Sequence, residues 1–226
     1  MDKDIQQVTS LIGDPVRASI LWALTDGRAY TATELSVTIN TSPQNMSMHL
    51  SKLIKGELLT VESQGRYKYY RIAKPEVAHA LEAIACLVPE DKHKKKTIQP
   101  EEKAIRYCRS CYGHLAGKVG VLVNEALLAQ KIIQPVDNLY AVTKKGEAFF
   151  ADLKIDIALL QKQRRIFAKP CLDWSERKHH LAGSLGTALL NSMLELDYFR
   201  RSKNSRTILV TGKGQTQLFQ KLKISV

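Results

Sequence analysis

The sequence predicts a mainly α protein with small β-hairpins, an α+β fold, arranged as two domains. Three observations lead to this prediction. The chain has 226 residues, which is more than one minimal domain needs. A stretch at 89–102 contains two prolines and a cationic cluster but almost no apolar side chains, as a solvated linker does. On both sides of it, apolar residues recur at helical spacing and are interrupted by short strand-like runs.

We therefore expect a first domain at 1–88, a basic linker at 89–100 and a second domain at 101–226. Apolar residues make up 44% of the chain and charged residues 25%, which describes a globular protein rather than a disordered one. No apolar run approaches the roughly 18 residues of a membrane helix, and the first residues lack a signal-peptide pattern. Because four scattered cysteines fit a reducing compartment, we expect a cytoplasmic protein without membrane contact.

The net charge of +12 favours a polyanionic partner. The charge is unevenly distributed along the chain. Residues 1–88 carry nine basic and nine acidic side chains, whereas residues 101–226 carry 21 basic and 11 acidic ones. A solvated basic surface would have the same composition, so charge alone assigns no binding face.

The first domain begins with two predicted helices and a capped third one. Asp14-Pro15 restarts the chain after the first helix, and Asp26-Gly27 ends the second. Thr31 and Glu34 have the spacing of a capping box, in which each side chain satisfies an amide at the helix start. The apolar residues at helical spacing are Ile5, Val8, Leu11 and Ile12 in the first helix and Val16, Ile20, Leu21 and Leu24 in the second.

A helix at 43–55 has the strongest signals. Ser42 suits the N-cap, Pro43 suits the first helical position, and Gly56 can close the C-terminal end. Two strand-like runs, LLTVES and YKYYRI, follow and meet at residues 64–66, and a last helix is predicted from about 75 to 87. Two helices joined by a tight turn and followed by a hairpin are typical of a winged helix-turn-helix domain. The predicted buried face of helix 43–55 is Met46, Leu50, Leu53 and Ile54.

In such a domain the helix 43–55 enters the major groove, and the hairpin tip reaches the backbone or the minor groove of double-stranded DNA. Gln44 and Asn45 are the best candidates for bidentate contacts to adenine edges. Lysine and arginine side chains would contact phosphates and set the register. Ordinary exposed polar residues would give part of the same pattern. The predicted DNA-binding residues are Ser42, Gln44, Asn45, Ser47, Met48, His49, Lys52, Arg66 and Lys68.

Three motifs in order make the first domain resemble the ArsR-type winged-helix repressors. They are LIGDPVR at 11–17, SPQNMSMHL at 42–50 and GRYKYYR at 65–71, within a resemblance that covers about residues 5–88. The resemblance implies a homodimer that pairs through the first and last helices of the domain and binds an inverted repeat in operator DNA. Two-fold symmetry would then place the half-sites about one helical turn apart.

The resemblance also indicates where metal-sensing members of the family hold their ligands. The helix before the recognition helix reads TATELSVTINT, without cysteine or histidine, and the last helix offers only His79 and Glu82. We therefore expect neither of these two metal-sensor sites. The sequence also lacks a phosphate-binding glycine loop, a nucleophile elbow and a zinc-protease motif, so we do not expect an enzyme.

The second domain contains an internal repeat. HLAGKVG at 114–120 recurs as HLAGSLG at 180–186, TKKG at 143–146 recurs as TGKG at 211–214, and LKI at 153–155 recurs at 222–224. These matches predict two winged-helix-like units, at about 108–155 and 171–224, each with a helix, a hairpin and a short helix. We expect wing-like turns at Lys144-Lys145 and Lys213. The paired glycines, Gly117/Gly120 and Gly183/Gly186, predict that the two HLAG helices pack against each other.

The residues around each HLAG motif are candidates for a sensor. If the helices pair, Cys111, His114, Cys171 and His180 would converge, and such a set suits tetrahedral Zn²⁺ or another thiophilic ligand. The two thiols alone could form a redox-switchable disulfide. An apolar pocket beside Trp174 and Tyr112 could instead bind a small organic effector, and purely structural cysteines fit the sequence as well. The sensor candidates are Cys108, Cys111, His114, Cys171, Trp174 and His180.

The sequence thus predicts a homodimeric DNA-binding transcriptional regulator, a repressor by resemblance, released from its operator by an effector or thiol change in the second domain. Three alternatives stay open. The basic second domain could also bind DNA, without any small-molecule sensor. Cys111, His114 and His180 could serve a cysteine-dependent enzyme. A role in protein contacts alone would leave the polar face of helix 43–55 unexplained.

Overall fold

The computed structural model describes residues 2–89, 100–111 and 113–226. The chain divides into two compact units, with the boundary in sequence between Ile84 and Ala85. Most of the predicted linker, at 90–99, lies outside the described residues. Helices with small antiparallel sheets make up both units, so the predicted α+β class is confirmed. Within the described part of the chain, none of the helices combines the length and the apolar character that crossing a bilayer requires.

The first unit is a winged helix-turn-helix domain. Its three-stranded antiparallel sheet contains, in spatial order, strands Tyr30–Thr31, Tyr67–Ile72 and Leu59–Gln64, and the hairpin turn at 65–66 joins the last two. A 3-10 turn at Leu24–Asp26 follows the second helix. In chain order the elements are α1 Lys3–Ile12, α2 Pro15–Ala23, β1 Tyr30–Thr31, α3 Ala32–Ile39, α4 Pro43–Lys55, β2 Leu59–Gln64, β3 Tyr67–Ile72 and α5 Pro75–Ala85.

Side-chain caps confirm the predicted starts of three helices in this unit. Asp14 accepts a hydrogen bond from Arg17 N at 2.9 Å at the start of α2. Thr31 and Glu34 form the reciprocal capping box at the start of α3. Ser42 accepts from the Asn45 amide at the start of α4. Each cap satisfies an amide that the helix itself leaves without a partner, so the local sequence fixes these boundaries.

The core of the first unit lies between α2, α3 and α4. Leu21, Leu35, Met46 and Leu53 are completely buried in it. The burial of Met46, Leu50 and Leu53 confirms the predicted inner face of α4, while Ile54 is half-buried at its edge. Packing on this face holds α4 firmly and leaves its opposite face to solvent.

The second unit contains two copies of one arrangement, in which a hairpin precedes a helix, a second hairpin and a further helix. The leading hairpins are an addition to the predicted units, and the HLA residues lie in strands rather than in helices. The elements are α6 Pro100–Tyr107, β4 Arg109–Cys111, β5 His114–Ala116, α7 Gly117–Ala129, β6 Ile133–Val136, β7 Leu139–Val142, α8 Lys144–Asp152, α9 Ile157–Gln161, β8 Lys169–Leu172, β9 His179–Ala182, α10 Gly183–Glu195, β10 Phe199–Arg201, β11 Ile208–Val210 and α11 Gly212–Leu222.

The glycine pairs of the repeats have a different role from the predicted one. Helix α7 packs on strand β9 and helix α10 packs on strand β5, so each long helix contacts mainly the strand of the other repeat. A Cβ atom on Gly120 would lie 2.7 Å from Leu115 O, and one on Gly186 would lie 2.4 Å from Leu181 O. Each glycine therefore lets its helix fold closely back onto the strand that precedes it, and the prediction of two paired HLAG helices is wrong.

The wing-like turns predicted at Lys144-Lys145 and Lys213 are also corrected by the structure. These residues lie in the first turns of α8 and α11, where Thr143 and Thr211 accept hydrogen bonds from the amides of Gly146 and Gly214. The hairpin tips lie elsewhere, at 137–138 and 202–207. A threonine followed by a glycine three residues later marks a helix start here rather than a turn between strands.

Candidate nucleic-acid interface and candidate metal centre

The outward face of α4 carries most of the predicted DNA-binding side chains. Ser42, Gln44, Ser47, Met48 and Lys52 are exposed. Neighbouring Asn45 is half-buried, and its Nδ2 donates to Thr41 Oγ1 at 3.0 Å. This bond uses only one of the two N–H groups of the Asn45 amide but holds that side chain toward Thr41, whereas Gln44 projects from the first turn into solvent.

His49 does not lie on this outward face. Its side chain is only 6% exposed, because position 49 follows Met46 by three residues and adjoins Leu50 on the stripe that packs into the core. The prediction that His49 faces DNA is therefore wrong. Exposed Ser51, which sequence reasoning missed, occupies the outward face instead. Its spacing of three residues from Met48 was the available signal.

His49 belongs to a polar junction that connects three helices. Its Nδ1 lies 3.6 Å from Asp14 Oδ1, and Asp14 caps α2. Arg17 lies 3.5 Å from the same carboxylate and donates to the backbone oxygens of Leu11 and Ser10 at 2.7 and 2.8 Å. The hydrogen bond from the Arg17 amide, with the Arg17 and His49 side chains, holds the pKa of Asp14 below its usual value despite the opposing effect of partial burial. This junction fixes the end of α1 against the base of the recognition helix.

The hairpin tip presents the other predicted DNA contacts. Arg66 and Lys68 are exposed at and just after the turn, and Gly65 has a φ of 60°, which a residue with a side chain rarely adopts. The Arg66 guanidinium lies 5.1 Å from the Tyr67 ring centroid and donates to Tyr67 Oη at 2.9 Å. The tyrosine thus orients a cationic tip that suits a phosphate backbone.

In the second unit, four predicted sensor residues converge. Cys111 pairs across the first leading hairpin with His114, and Cys171 pairs across the second with His180. The ligand atoms of these four side chains all lie within 4.8 Å of one another, and three of the residues are buried. We call this set the Cys2His2 centre. The predicted convergence of the two repeats at these residues is confirmed.

The two imidazoles of the Cys2His2 centre face each other. His114 Nε2 and His180 Nε2 are 3.0 Å apart, and the ring planes are tilted by 33°. Glycines make this approach possible, because a Cβ on Gly186 would lie 3.2 Å from the His114 Cβ and one on Gly120 would lie 3.6 Å from the His180 Cβ. In a tetrahedral zinc site the nitrogens would be roughly 3.3 Å apart, so the rings are already near ligating positions.

A buried carboxylate lies behind His180, and sequence reasoning missed it. Asp173 Oδ2 is 3.2 Å from His180 Nδ1 and 3.0 Å from Arg109 Nη2. The side chains of Asp173, His180 and Arg109 are all buried. Oδ2 also accepts from the Gly117 amide at 2.8 Å, and Oδ1 accepts from Ser175 Oγ at 2.7 Å. Burial alone would raise the pKa of Asp173, but His180, Arg109 and Ser175 outweigh it and hold this pKa far below its usual range.

The same contacts act on His180. Burial by itself would lower the pKa of His180, yet the Asp173 carboxylate and Cys111 outweigh it and raise this pKa above its usual value.

Asp173 enters the site because the second leading hairpin has a longer loop. Strand β4 reaches β5 through residues 112–113, whereas β8 reaches β9 through residues 173–178. This loop length was the one signal in the sequence that could have indicated an additional residue.

The remaining sensor candidates lie outside the Cys2His2 centre. Cys108 is fully buried in the hydrophobic core, and burial raises the pKa of its thiol to about 12, which makes it an inert packing residue. Trp174 is buried with Arg106 and Arg109 stacked 4.8 and 5.0 Å from its ring centroid. This covered ring does not favour the predicted organic-effector pocket, and the Tyr112 side of that pocket lies outside the described residues.

Comparison with known proteins agrees with the first unit's architecture. A protein-family model described as a helix-turn-helix domain matches residues 12–62. The uncharacterized HTH-type transcriptional regulator YdfF of Bacillus subtilis (strain 168) is 40% identical over 226 residues, which cover 100% of both chains. The similarity therefore includes the second unit. The family model describes a helix-turn-helix domain and the relative is named a transcriptional regulator, in agreement with the predicted class.

Solved structures match the region of the first unit. NolR from Sinorhizobium fredii is 24% identical over 37% of this chain and 82% of its own, with a TM-score of 0.35. Reduced HlyU from Vibrio cholerae N16961 is 22% identical over 39% and 92%, with a TM-score of 0.36. The homodimeric winged helix-turn-helix domain of Mb0332 from Mycobacterium bovis is 22% identical over 42% and 88%, with a TM-score of 0.37.

Proposed function

Because this chain belongs to the ArsR-type helix-turn-helix transcriptional regulators, we propose that it is a homodimeric repressor whose affinity for operator DNA depends on the state of the Cys2His2 centre. Binding DNA and regulating transcription are the activities of the family. The observation that supports control by the second unit is the approach of four ligand atoms to within 4.8 Å of one another. Because its target is DNA, we also place the protein in the cytoplasm.

Exposed apolar residues on the outer helices of the first unit support dimerisation. Helix α1 has no buried residue, and Ile5 and Val8 on it are 54% and 38% exposed. Ile84 near the end of α5 is 46% exposed. Apolar stripes on two helices are costly in water, and pairing with a second copy through these helices would cover them. Two recognition helices related by a two-fold axis would then meet an inverted repeat.

The exposure and chemistry of the side chains divide them into base-contacting and phosphate-contacting groups. Gln44 on α4 has the bidentate amide that suits an adenine edge, with Asn45, Ser47 and Met48 as its neighbours in the groove. Lys52, Arg66 and Lys68 carry charge to the phosphates. Ser42 caps the helix and lies where a phosphate would meet the α4 N-terminus.

The Cys2His2 centre is proposed to hold Zn²⁺ or another thiophilic ligand. Two thiolates and two imidazole nitrogens are the donors that tetrahedral Zn²⁺ prefers. Binding there joins the two leading hairpins, and loss of the ligand or oxidation of Cys111 and Cys171 to a disulfide would change how the repeats pack. The change in operator affinity is then limited by how much more tightly the ligand binds one packing of the repeats than the other.

Fluorescence anisotropy tests this proposal. The reduced full-length protein is titrated against duplex DNA from the region upstream of its own gene and against a scrambled duplex, first after chelation and then with Zn²⁺ added. We expect operator affinity to differ between the two states by about 5- to 150-fold, the usual range of allosteric coupling. Cys111→Ser should abolish this difference, and Cys86→Ser, a thiol outside the centre, should retain it.

Three results would contradict the proposal. Equal affinity with and without Zn²⁺, in a protein shown to bind the metal, would remove the centre from operator control. Loss of the affinity difference in Cys86→Ser would assign the effect to Cys86 rather than to the Cys2His2 centre. Elution of the protein as a monomer at micromolar concentration would contradict the homodimer.

A second candidate is DNA binding by both units without a sensor. Its support is the excess of basic residues in 101–226, including exposed Lys144 and Lys213 at the starts of α8 and α11. The logarithm of affinity falls with the logarithm of salt by about 0.9 per phosphate contact. Loss of about one unit of slope in Lys144→Gln and in Lys213→Gln would favour this candidate, and an unchanged slope would exclude these contacts.

A further inference from the structure

We propose that Asp173 is a positioning residue of the Cys2His2 centre, where it orients His180 and, together with Arg109, makes the centre selective for a divalent cation. This inference rests on the proposed metal binding and deepens it, because it names the charge class of the ligand. It concerns a residue that does not itself touch the metal.

Asp173 sets the orientation of the His180 ring. Asp173 Oδ2 lies 3.2 Å from His180 Nδ1, an ion-pair contact without hydrogen-bond geometry, and its negative charge favours the ring proton on Nδ1 and leaves the lone pair on Nε2. Nε2 is the atom that faces His114 Nε2 at 3.0 Å. A carboxylate behind a metal-binding histidine commonly fixes the ring and its tautomer in this way.

Asp173 itself is held rigidly, so it can impose this orientation. Its Oδ2 accepts from the amide of Gly117, and its Oδ1 accepts from the amides of Ser175 and Glu176 at 2.9 and 3.2 Å. These donors come from both repeats, from the start of α7 and from the longer loop of the second hairpin. Because the carboxylate cannot follow the imidazole, rotation of His180 would break the contact.

The charges around the Cys2His2 centre favour one charge of the bound cation. Asp173 and Arg109 are both completely buried and lie 3.0 Å apart, so their charges cancel within the pair. Two thiolates and two neutral imidazoles then leave a charge of about −2 for the ligand to neutralise. A divalent cation makes the buried centre neutral, whereas a monovalent cation leaves one negative charge and a trivalent one leaves one positive charge. Burying an uncompensated charge is costly, so the surroundings favour the divalent ion.

The experiment compares a divalent and a monovalent soft cation on the full chain. Cys86→Ser serves as the background so that the half-buried Cys86 thiol does not compete for the metal. Co²⁺ affinity is measured anaerobically from the visible bands of tetrahedral thiolate-bound cobalt, and Ag⁺ affinity is measured by calorimetry. The variants are Asp173→Asn, which removes the charge but keeps the shape, and Asp197→Asn, a surface aspartate of the same unit that pairs with Arg200.

We expect Asp173→Asn to weaken Co²⁺ binding by about 10- to 100-fold, the usual effect of losing such a carboxylate. Ag⁺ binding should weaken less, so that the ratio of Ag⁺ to Co²⁺ affinity rises at least about tenfold, because Arg109 then supplies the charge that a monovalent ion lacks. Asp197→Asn should change neither. A purely structural role for Asp173 would instead weaken both ions equally, and that result would overturn the inference.

The outcomes separate the inference from the proposed function. If the background protein binds no Co²⁺, the proposed metal site fails and the inference fails with it. If the background protein binds Co²⁺ and Asp173→Asn binds it equally well, only the inference fails. Should Asp173→Asn not fold, ¹⁵N NMR of the Zn²⁺-loaded protein still decides the orientation, since a protonated Nδ1 on His180 supports the proposal and a metal-bound Nδ1 refutes it.

Discussion

Replacing Gly186 by alanine should destabilise the second unit, although the same change in an ordinary helix stabilises it. Alanine gains up to about 1 kcal/mol over glycine in a helix interior. Here the new Cβ would lie 2.4 Å from Leu181 O and 3.2 Å from the His114 Cβ. Restoring normal contact requires a shift of roughly 1 Å between α10 and strands β5 and β9. Overpacking of this kind typically costs about 1–3 kcal/mol, so the net sign should be unfavourable.

Thermal unfolding of the second unit measures this effect. Trp174 fluorescence in a Trp22→Phe background reports on that unit, and a loss of about 1–3 kcal/mol corresponds to a transition lowered by roughly 2–10 °C. Gly212→Ala is the matched control, because a Cβ there has no atom within 4 Å, and it should leave the transition unchanged or raise it. Co²⁺ affinity should also fall in Gly186→Ala, since the shifted helix displaces His114. A transition raised in both variants would refute the close-approach argument.

Four further predictions concern the first unit. Gln44→Ala should weaken binding to the operator more than to scrambled DNA, by about 1–3 kcal/mol in the difference, and equal losses in an anisotropy titration would remove Gln44 as a base reader. Lys68→Ala should weaken binding to the operator and to scrambled DNA about equally, and it should reduce the salt slope by about one. An altered sequence preference would show instead that the hairpin reads bases. Because the pKa of Asp14 is lowered in the folded protein, its stabilising effect is present above its unfolded value near 3.8 and is lost as the pH falls through the folded value. Urea unfolding should therefore show Asp14→Asn less stable than wild type at pH 7, with the gap narrowing as the pH falls below 3.8; a constant gap would contradict this linkage. Ile5→Asp should yield monomers in light scattering, and an unchanged dimer would exclude α1 from the interface.

Helix starts in the first unit were predictable because their signals are local. Thr31 and Glu34 lie within one turn and contact each other, and Ser42 and Pro43 act on the turn that they begin. The position of His49 was less predictable. The sequence pattern marks Met46, Leu50 and Leu53 as buried, but it does not say how wide the buried stripe is. His49 lies within this stripe, with its Nδ1 3.6 Å from the carboxylate of Asp14, the N-cap of α2.

The Cys2His2 centre was predictable from the repeat, because two copies of one unit bring equivalent residues together about an axis. The secondary structure around it was not. Apolar spacing after His114 and His180 is helical, yet the helices begin only at Gly117 and Gly183, whose φ angles of 76° and 88° turn the chain out of a strand. Asp173 was missed because its partner Arg109 precedes it by 64 residues. A contact over that distance leaves no periodic trace in the sequence.

The division of the Cys2His2 centre between two hairpins also orders its assembly during synthesis. Cys111 and His114 leave the ribosome first, and His180 follows His114 by 66 residues, which at about 5–20 residues per second is a delay of several seconds. During that interval the first hairpin offers only half of a coordination sphere and lacks the strand on which α7 packs. A ligand proposed for this centre would therefore meet all four donor side chains only after the second leading hairpin has emerged.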